Sequence, residues 1–179
     1  MIDKEPVILK SISKIERPTK DRYYINIASV INTRSTCLST HYGAVIVNND
    51  EIVATGYNGA PRGETNCCDA GECYRKKLGC KRGERYELCR ALHAEDNAIT
   101  SAGRTRCQDA TLYLAGIKVK TGEIASPSLC LMCARKVMNS GIKRVVGLFP
   151  DGTISEIDVQ KCLSADYLSQ LDDADVKLT

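Results

Sequence analysis

Tryptophan is absent from the 179-residue chain and phenylalanine occurs once, so the largest aromatic side chains are scarce. Hydrophobic residues nevertheless make up 43% of the sequence, which argues against global disorder. The core must therefore rest on Ile, Val, Leu, Ala and the eight Tyr. A chain of this length favours a single domain with a hydrophobic core of its own.

Long apolar runs are missing as well. No stretch approaches the roughly 20 apolar residues that a membrane-spanning helix needs. The first 20 residues mix lysines with acids and lack the apolar segment of a secretory signal. These absences predict a cytoplasmic protein with no membrane partner. In a reducing cytosol, the ten cysteines indicate metal binding or catalysis rather than a disulfide framework.

Charge is low in total but unevenly distributed. The net charge of +3 does not favour a nucleic-acid partner. Residues 151–179 carry seven acids and two bases, so the remainder of the chain carries +8. Seven of the bases fall between residues 75 and 90. This basic stretch is either a solvated surface or a region that attracts a phosphate-bearing small substrate.

Hydrophobic periodicity and turn residues divide the chain into alternating helices and strands. The predicted helices cover residues 19–34, 92–102, 131–140 and 159–171. The predicted strands cover 43–48 and 52–54, which form a hairpin, and then 110–115 and 144–148. Residues 59–90 show no clean period and are interpreted as an insertion loop. This order predicts a mixed sheet with helices on its faces.

The domain organisation follows from the same pattern. Residues 1–19 are predicted to be an N-terminal extension, and residues 20–150 the folded domain, with 59–90 as its cysteine-rich insertion. Residues 151–179 form an acidic C-terminal segment. The sequence shows neither an internal repeat nor a low-complexity segment.

Two short motifs carry metal chemistry. His93-Ala-Glu95 and Cys130-Leu-Met-Cys133 both stand at predicted helix starts. One His and two Cys supply the three protein ligands of a catalytic zinc site, which leaves one position open for water. Thiolate is the ligating form of cysteine, and the N-terminus of a helix stabilises it. The two motifs together predict a catalytic Zn²⁺ bound by His93, Cys130 and Cys133.

Glu95 is the predicted catalytic residue. It lies two positions beyond His93, where its carboxylate reaches a zinc-bound water rather than the metal. Such a carboxylate transfers a proton from the water to the substrate ring and then to the departing amine. His-x-Glu combined with Pro-Cys-x-x-Cys is a known signature of zinc deaminases.

With these motifs the sequence resembles the cytidine and deoxycytidylate deaminase family, in particular its deoxycytidylate branch. The similarity runs from about Tyr23 to Phe149. It is carried by three stretches, which are Arg34–Cys37 before Gly43–Val47, Gly56–Gly63, and His93–Ile99. The resemblance implies a three-layer α-β-α cytidine-deaminase-like fold with a central mixed sheet of about five strands. It also implies hydrolysis of dCMP to dUMP and ammonia, which supplies thymidylate synthesis.

The resemblance further implies substrate contacts. Asn58 would hydrogen-bond the sugar hydroxyl, the Ala94 N–H would meet the pyrimidine carbonyl, and a carbonyl near Ser128 would receive the leaving amine. Arg62 would bind phosphate or an effector, and Arg104 would lie near the nucleotide or a subunit interface. Alternatively, Asn58 could serve only as a turn residue, and the two arginines could be solvated surface charges.

Several further properties come with the family. Its members often form hexamers and respond to dCTP and dTTP, so a homo-oligomer and these effectors are expected. Some relatives bind a second, structural zinc. The candidate ligands here are Cys37, Cys67 or Cys68, Cys73 and Cys89, although several of these cysteines could instead be small buried hydrophobic residues.

One position departs from the family pattern. Leu129 stands where a proline usually precedes the first cysteine, and Pro127 comes two residues earlier. The ligands are retained, so this change bears on the shape of the pocket rather than on the zinc. The segment 116–126 is also longer than in the shortest relatives and is expected to border the pocket.

Two other functions remain open at this point. The chain could deaminate another amino-bearing base, such as cytidine, a modified nucleotide or adenosine in tRNA. It could also be a non-catalytic, zinc-stabilised binding protein of the same fold. A non-catalytic protein would be indicated by the loss of Glu95, and Glu95 is present.

Overall fold

The computed structural model describes residues 17–81 and 84–164. The α-helices in these ranges include α1 (Lys20–Ile31), α2 (Cys67–Ala70), α3 (Tyr74–Lys77), α4 (Ala94–Ala102), α5 (Arg104–Cys107) and α6 (Leu131–Ser140). The strands are β1 (Thr40–Asn48), β2 (Glu51–Tyr57), β3 (Thr111–Lys118), β4 (Arg144–Leu148) and β5 (Ile154–Glu156). The predicted extension up to residue 16 and the acidic segment from residue 165 lie outside the described ranges.

The five strands form one mixed sheet in the order β2-β1-β3-β4-β5. β3 and β4 are parallel, and the other neighbouring pairs are antiparallel. The β1–β2 hairpin turns at Asn49 and Asp50, with φ angles of 49° and 65°. Asn and Asp tolerate this left-handed conformation better than most residues, which is why the predicted turn forms here.

Side-chain alternation along the strands creates two hydrophobic cores, one on each face of the sheet. On one face, Val45 and Tyr113 pack with Ile25 of α1. On the other face, Ala44, Ile46, Leu112 and Leu114 pack with α4 and α6. The result is a helix layer, a sheet and a second helix layer. This arrangement confirms the predicted three-layer fold with a five-stranded mixed sheet.

Glycine residues allow the helices to approach the sheet closely. A Cβ atom at Gly56 of β2 would lie 2.3 Å from the Ala94 carbonyl oxygen and 2.5 Å from the Ala98 nitrogen. A Cβ atom at Gly43 of β1 would lie 2.1 Å from the Ala28 carbonyl oxygen. The backbones of α4 and α1 therefore rest directly on the two faces of the hairpin.

Helix boundaries agree with the sequence pattern to within a few residues. Thr19 caps α1, since its side chain accepts a hydrogen bond from the Arg22 N–H, and the helix gives way to a 3₁₀ turn at 32–34. Helix α6 has the predicted bounds and ends at Gly141, whose φ is 82°. Residues 159–164 are helical, as predicted for the start of the last helix.

Three features differ from the predictions. Helix α5 (Arg104–Cys107) was not predicted, because four residues are too few to leave a periodic signal. The insertion at 59–90 contains α2, α3 and a 3₁₀ turn at 86–88, although the sequence predicted a loop. Their helices are four residues long, too short to leave a periodic signal. Strand β5 was not predicted, and it extends the sheet beyond residue 150 by pairing with β4. No helix in the described part of the chain has the length and apolar character needed to cross a bilayer.

Candidate metal centre and active site

The two sequence motifs lie at the starts of neighbouring helices on one face of the sheet. His93 is the N-cap of α4, and Cys130 is the N-cap of α6. The Cys130 sulfur accepts a hydrogen bond from the Cys133 N–H at 3.4 Å. Because both helices pack against the same core, their first turns meet at one end of the domain.

The ligand atoms of the two motifs converge. The His93 Nδ1 atom lies 3.3 Å from the Cys130 sulfur and 3.4 Å from the Cys133 sulfur. In a tetrahedral zinc site, ordinary Zn–N and Zn–S bond lengths place nitrogen and sulfur about 3.5 Å apart. Within the described ranges, these three residues are the one group of potential ligands whose atoms all lie within 4.8 Å of each other. The three side chains therefore fit a zinc ion.

Contacts among these side chains shift the pKa values of the three potential zinc ligands. Hydrogen bonds from Cys133 and His93 lower the pKa of the Cys130 thiol, which favours the thiolate form that ligates zinc. Hydrogen bonding to Cys130, together with burial, raises the pKa of Cys133. A divalent cation would displace the protons that these groups still carry when it binds. Burial lowers the pKa of His93, but Cys130 and Glu95 outweigh it and hold that pKa above its ordinary value.

Glu95 lies in the first turn of α4, beside the ligands. Its side chain is buried, with 4% of its surface exposed. Burial raises the pKa of the carboxyl group, and the charge of His93 opposes that shift. A buried carboxyl group whose pKa is moved towards neutrality is suited to take up and release a proton.

A cavity of about 830 Å³ opens in front of this group, and Glu95, His93 and Cys130 form part of its wall. The predicted contact residues Asn58, Ala94 and Ser128 also line it. The Ala94 N–H belongs to the first helical turn, whose donors have no partner inside the helix.

Arg62 and Arg104 behave differently from the other predicted contact residues. Both are exposed, and neither is part of the cavity wall. The structure therefore brings three of the five predicted substrate contacts to the site.

Asn58 is held firmly by its neighbours. Its Oδ1 atom accepts hydrogen bonds from the Tyr42 N–H at 2.7 Å and the Ser35 hydroxyl at 2.6 Å. One Nδ2 hydrogen is donated to the Thr40 carbonyl at 2.8 Å. An amide has two such hydrogens, so one remains for a ligand. Asn58 thus combines the structural role with a free donor at the cavity.

The departure at Leu129 affects the cavity rather than the ligands. Leu129 is buried and forms part of the cavity wall. Pro127 is buried beside Gly147, where an added Cβ would lie 2.5 Å from the proline ring. Residues of the longer 116–126 segment also reach the cavity, as the sequence predicted. They are Lys118, Lys120, Thr121 and Ala125.

Tyr86 is a site residue that the sequence did not indicate. Its ring packs edge-on against the His93 ring, with centroids 5.0 Å apart and an interplanar angle of 83°. Tyr86 comes from the cysteine-rich insertion, which lacks any pattern that relates it to the zinc motifs. Packing between distant segments places it there.

The insertion also gathers thiols near the cavity. Burial raises the pKa of Cys67, and Cys37, Cys89 and Cys73 add to that shift because they lie nearby. The Cys68 sulfur instead hydrogen-bonds the exposed Asp69 carboxylate at 3.5 Å. The four neighbouring cysteines are more widely spaced than the ligand atoms of the His93 group.

Comparison with known proteins agrees with this geometry. Residues 18–148 match the model of the cytidine and deoxycytidylate deaminase zinc-binding region. The deoxycytidylate deaminase of Schizosaccharomyces pombe is 39% identical over 131 residues, which cover 73% of this chain and 37% of that protein. The deoxycytidylate deaminase of Saccharomyces cerevisiae is 39% identical over 140 residues, which cover 76% of this chain and 40% of that protein. The chain thus spans about two fifths of the length of these two relatives.

Other relatives match over nearly their whole length. The deoxycytidylate deaminase of Mycobacterium phage D29 is 34% identical over 137 residues, which cover 74% of this chain and 96% of that protein. Among solved structures, the apo dCMP deaminase of cyanophage S-TIM5 has a TM-score of 0.53 at 23% identity, covering 84% of this chain and 94% of that one. This last likeness concerns the fold alone. The chain belongs to the cytidine and deoxycytidylate deaminase family.

Proposed function

We propose that this protein is a zinc-dependent hydrolase that converts dCMP to dUMP and ammonia. The observation that carries the proposal is the convergence of three zinc ligands beside a large cavity, whose wall includes the buried Glu95 and two of those ligands, His93 and Cys130. The three relatives named as deoxycytidylate deaminases support dCMP as the substrate. The basic side chains around the cavity suit a substrate that bears a phosphate.

The chemistry divides between the metal and Glu95. A zinc ion held by His93, Cys130 and Cys133, with one position open, would lower the pKa of a bound water to about 7 and so supply the nucleophile. Glu95 accepts a proton as water adds to C4 of the cytosine ring, and delivers it to ring nitrogen N3. The Glu95 carboxylate then takes the proton of the hydroxyl group added at C4 and transfers it to the amino group. The C4–N bond breaks, the C4 carbonyl forms, and the amino group leaves as ammonia. Water and dCMP are thereby converted to dUMP and ammonia with no proton left over.

Three residues position the substrate in this proposal. The Ala94 N–H donates to the pyrimidine carbonyl, and the remaining Nδ2 hydrogen of Asn58 donates to the sugar hydroxyl. The Ser128 carbonyl accepts from the leaving amine. All three residues line the cavity that contains Glu95, which supports these roles. Arg62 and Arg104, which lie away from the cavity wall, are proposed for effector or subunit contacts.

A second zinc ion is the finer part of the cofactor proposal. Its proposed ligands are Cys37, Cys67, Cys73 and Cys89, because the other three lie close enough to Cys67 to raise its pKa. Cys68 is left out, since it is exposed and bonded to Asp69. Binding would require the four sulfurs to draw closer together. A zinc content near two ions per purified chain would support this site, and a content near one would exclude it.

Assembly, regulation and location rest on the family resemblance. We propose a homo-oligomer, with a hexamer favoured, that responds to dCTP and dTTP in the cytoplasm and supplies dUMP for thymidylate synthesis. The alternatives are deamination of another cytosine or amino-bearing nucleotide or nucleoside, and a non-catalytic zinc-stabilised binding protein. A buried acid beside the zinc ligands favours catalysis over simple binding.

The test is ammonia release from zinc-loaded protein with dCMP, CMP, deoxycytidine, cytidine and dCTP at equal concentration. We expect dCMP to be the preferred substrate. Glu95→Gln should keep its zinc and lose roughly 10²- to 10⁴-fold in kcat, because proton transfer is removed while the ligands remain. Glu51→Gln, at the exposed start of β2, is the control.

Three outcomes would count against the proposal. Absence of turnover with all five compounds would overturn it in favour of another base or a binding role. Preference for another substrate would replace dCMP while keeping the mechanism. Full activity of Glu95→Gln would show that a group other than Glu95 transfers the proton.

A further inference from the structure

The cavity wall has a strong excess of positive charge. Five basic side chains line it, whereas Glu95 is its one acidic residue among those that the structure describes. The basic residues are Arg75, Lys76, Lys81, Lys118 and Lys120. They come from two separate segments, the cysteine-rich insertion and the end of β3 with the turn after it. A cavity lined by one sign of charge attracts and concentrates ligands of the opposite sign.

Arg75 is the most distinctive of these groups. It is partly buried, and no carboxylate in the described ranges forms an ion pair with it. Its Nη2 atom donates to the carbonyl oxygens of Lys81, at 2.8 Å, and of Glu84. Its Nε atom is buried without a hydrogen-bond partner. The Nη1 atom forms no hydrogen bond with the described residues, so its donors remain for a ligand in the cavity.

Aromatic packing places Arg75 close to the reacting end of the cavity. Its guanidinium carbon lies 4.2 Å from the centroid of the Tyr86 ring. The same ring packs edge-on against His93, with centroids 5.0 Å apart. Arg75 is therefore one aromatic ring away from a zinc ligand. In a nucleotide the sugar separates the base from the phosphate. If the base lies beside the zinc ligands, a cation separated from them by one aromatic ring is placed to meet the phosphate.

The lysines of the second segment approach the same region. The Val119 N–H donates to the Ser39 carbonyl at 3.1 Å, and the Ser39 N–H donates to the Cys37 sulfur at 3.4 Å. The segment that carries Lys118 and Lys120 thus lies beside Cys37. Cys37 in turn lies near Cys89, another residue of the cavity wall.

Arg75 belongs to the same cavity wall as these two cysteines. Lys118 is partly neutralised by Glu123 at 3.0 Å, whereas Lys120 is exposed and has no such ion pair among the described residues. The two segments therefore border one stretch of the cavity wall.

We propose that Arg75, Lys118 and Lys120 bind the phosphate group of the nucleotide substrate. The inference rests on the proposed function, and it deepens that function by assigning the phosphate to particular residues. It also divides the basic stretch at 75–90 into two groups. Arg75, Lys76 and Lys81 line the cavity, whereas Lys77, Arg85 and Arg90 do not.

The test compares dCMP with deoxycytidine, which differ by the phosphate alone. Arg75→Met and Lys120→Met should each lower kcat/KM for dCMP by roughly 10- to 100-fold, the range expected for a lost hydrogen bond to a charged group. The same variants should leave kcat/KM for deoxycytidine unchanged. Lys77→Met is the matched control, because Lys77 lies in the same short helix, pairs with Glu72 at 3.0 Å and is not part of the wall.

The variants differ in their structural risk. Arg75→Met also removes two hydrogen bonds to loop carbonyls. Lys120 is exposed, so the Lys120→Met result decides the matter if the Arg75 variant does not fold. Titration with dUMP provides a second measurement. Its dissociation constant should rise in Lys120→Met by the same factor as the loss in kcat/KM.

The outcomes separate this inference from the proposed function. Retained preference for dCMP in both variants would overturn the phosphate assignment and leave dCMP deamination intact. A wild type that treats dCMP and deoxycytidine alike would also overturn it, while cytosine deamination would stand. If the wild type turns over neither compound, the proposed function fails and dUMP titration alone decides. Equal dUMP binding by wild type and Lys120→Met would then refute the assignment.

Discussion

Replacing Gly56 with alanine should damage the metal centre from the far side of the helix that carries it. The added Cβ would lie 2.3 Å from the Ala94 carbonyl oxygen and 2.5 Å from the Ala98 nitrogen. Ordinary van der Waals contact requires about 3.5 Å, so the start of α4 must move away by about 1 Å. Overpacking of this kind costs about 1–3 kcal/mol in the free energy of unfolding. For a chain of this size that lowers Tm by roughly 3–10 °C.

The same displacement moves His93, Ala94 and Glu95 relative to the two cysteines on α6. A shift of about 1 Å in catalytic geometry costs on the order of 100-fold in rate. We therefore expect Gly56→Ala to lose zinc affinity and kcat/KM as well as stability. Zinc affinity is measured by competition with a chelator, stability by urea unfolding, and kcat/KM by ammonia release.

Gly43→Ala is the matched control. Its Cβ would lie 2.1 Å from the Ala28 carbonyl oxygen, so it displaces α1 on the opposite face of the sheet. This variant should lose a similar amount of stability but keep its zinc affinity. Equal zinc affinity in Gly56→Ala and wild type would refute the argument that the position of α4 sets the metal site. Equal loss in both variants would show that general destabilisation is responsible.

Two further predictions concern ion pairs. Lys136 of α6 forms an ion pair with Asp96 of α4 at 2.6 Å, which joins the two helices that carry the zinc ligands. Lys136→Met should therefore weaken zinc binding by roughly fivefold, or about 1 kcal/mol. The exposed neighbour Arg135→Met is the control in a chelator competition, and an equal loss in both variants would contradict the prediction. The hydrogen bond from Arg144 lowers the pKa of Asp21, so this carboxylate stabilises the fold above its unfolded-state pKa, and the contribution is lost as the pH falls through its lowered folded-state pKa. Asp21→Asn should therefore lower the free energy of unfolding at pH 7 by about 1–2 kcal/mol. The gap to wild type should narrow as the pH falls below 3.8, the ordinary pKa of Asp, and a gap independent of pH would refute this account.

Local sequence determines most of the sheet and the zinc group. The β1–β2 hairpin follows from apolar alternation and from Asn49-Asp50, and α6 from its periodicity and the glycine that ends it. The ligands were predicted because each motif is complete within a few residues. The fold then has only to bring two helix starts together.

Features that depend on distant contacts were missed. Tyr86 packs against His93 from a segment without periodicity. The pairing of β5 with β4 depends on the path of the chain after Leu148, and three residues are too few to give a strand pattern. Lys118 and Lys120 did not stand out in the sequence, because an exposed lysine beside a turn looks the same whether or not it faces a cavity.

The position of the ligands along the chain has a consequence for assembly. His93 precedes β3, whereas Cys130 and Cys133 follow it, so the ligand set is complete only after β3 has docked between β1 and β4. Neither motif by itself supplies three ligands. Binding of the catalytic ion is thus expected late in folding, and a nascent chain ending before residue 130 holds only one of the three ligands of that site. The metal would then stabilise a sheet that has already formed rather than nucleate its folding.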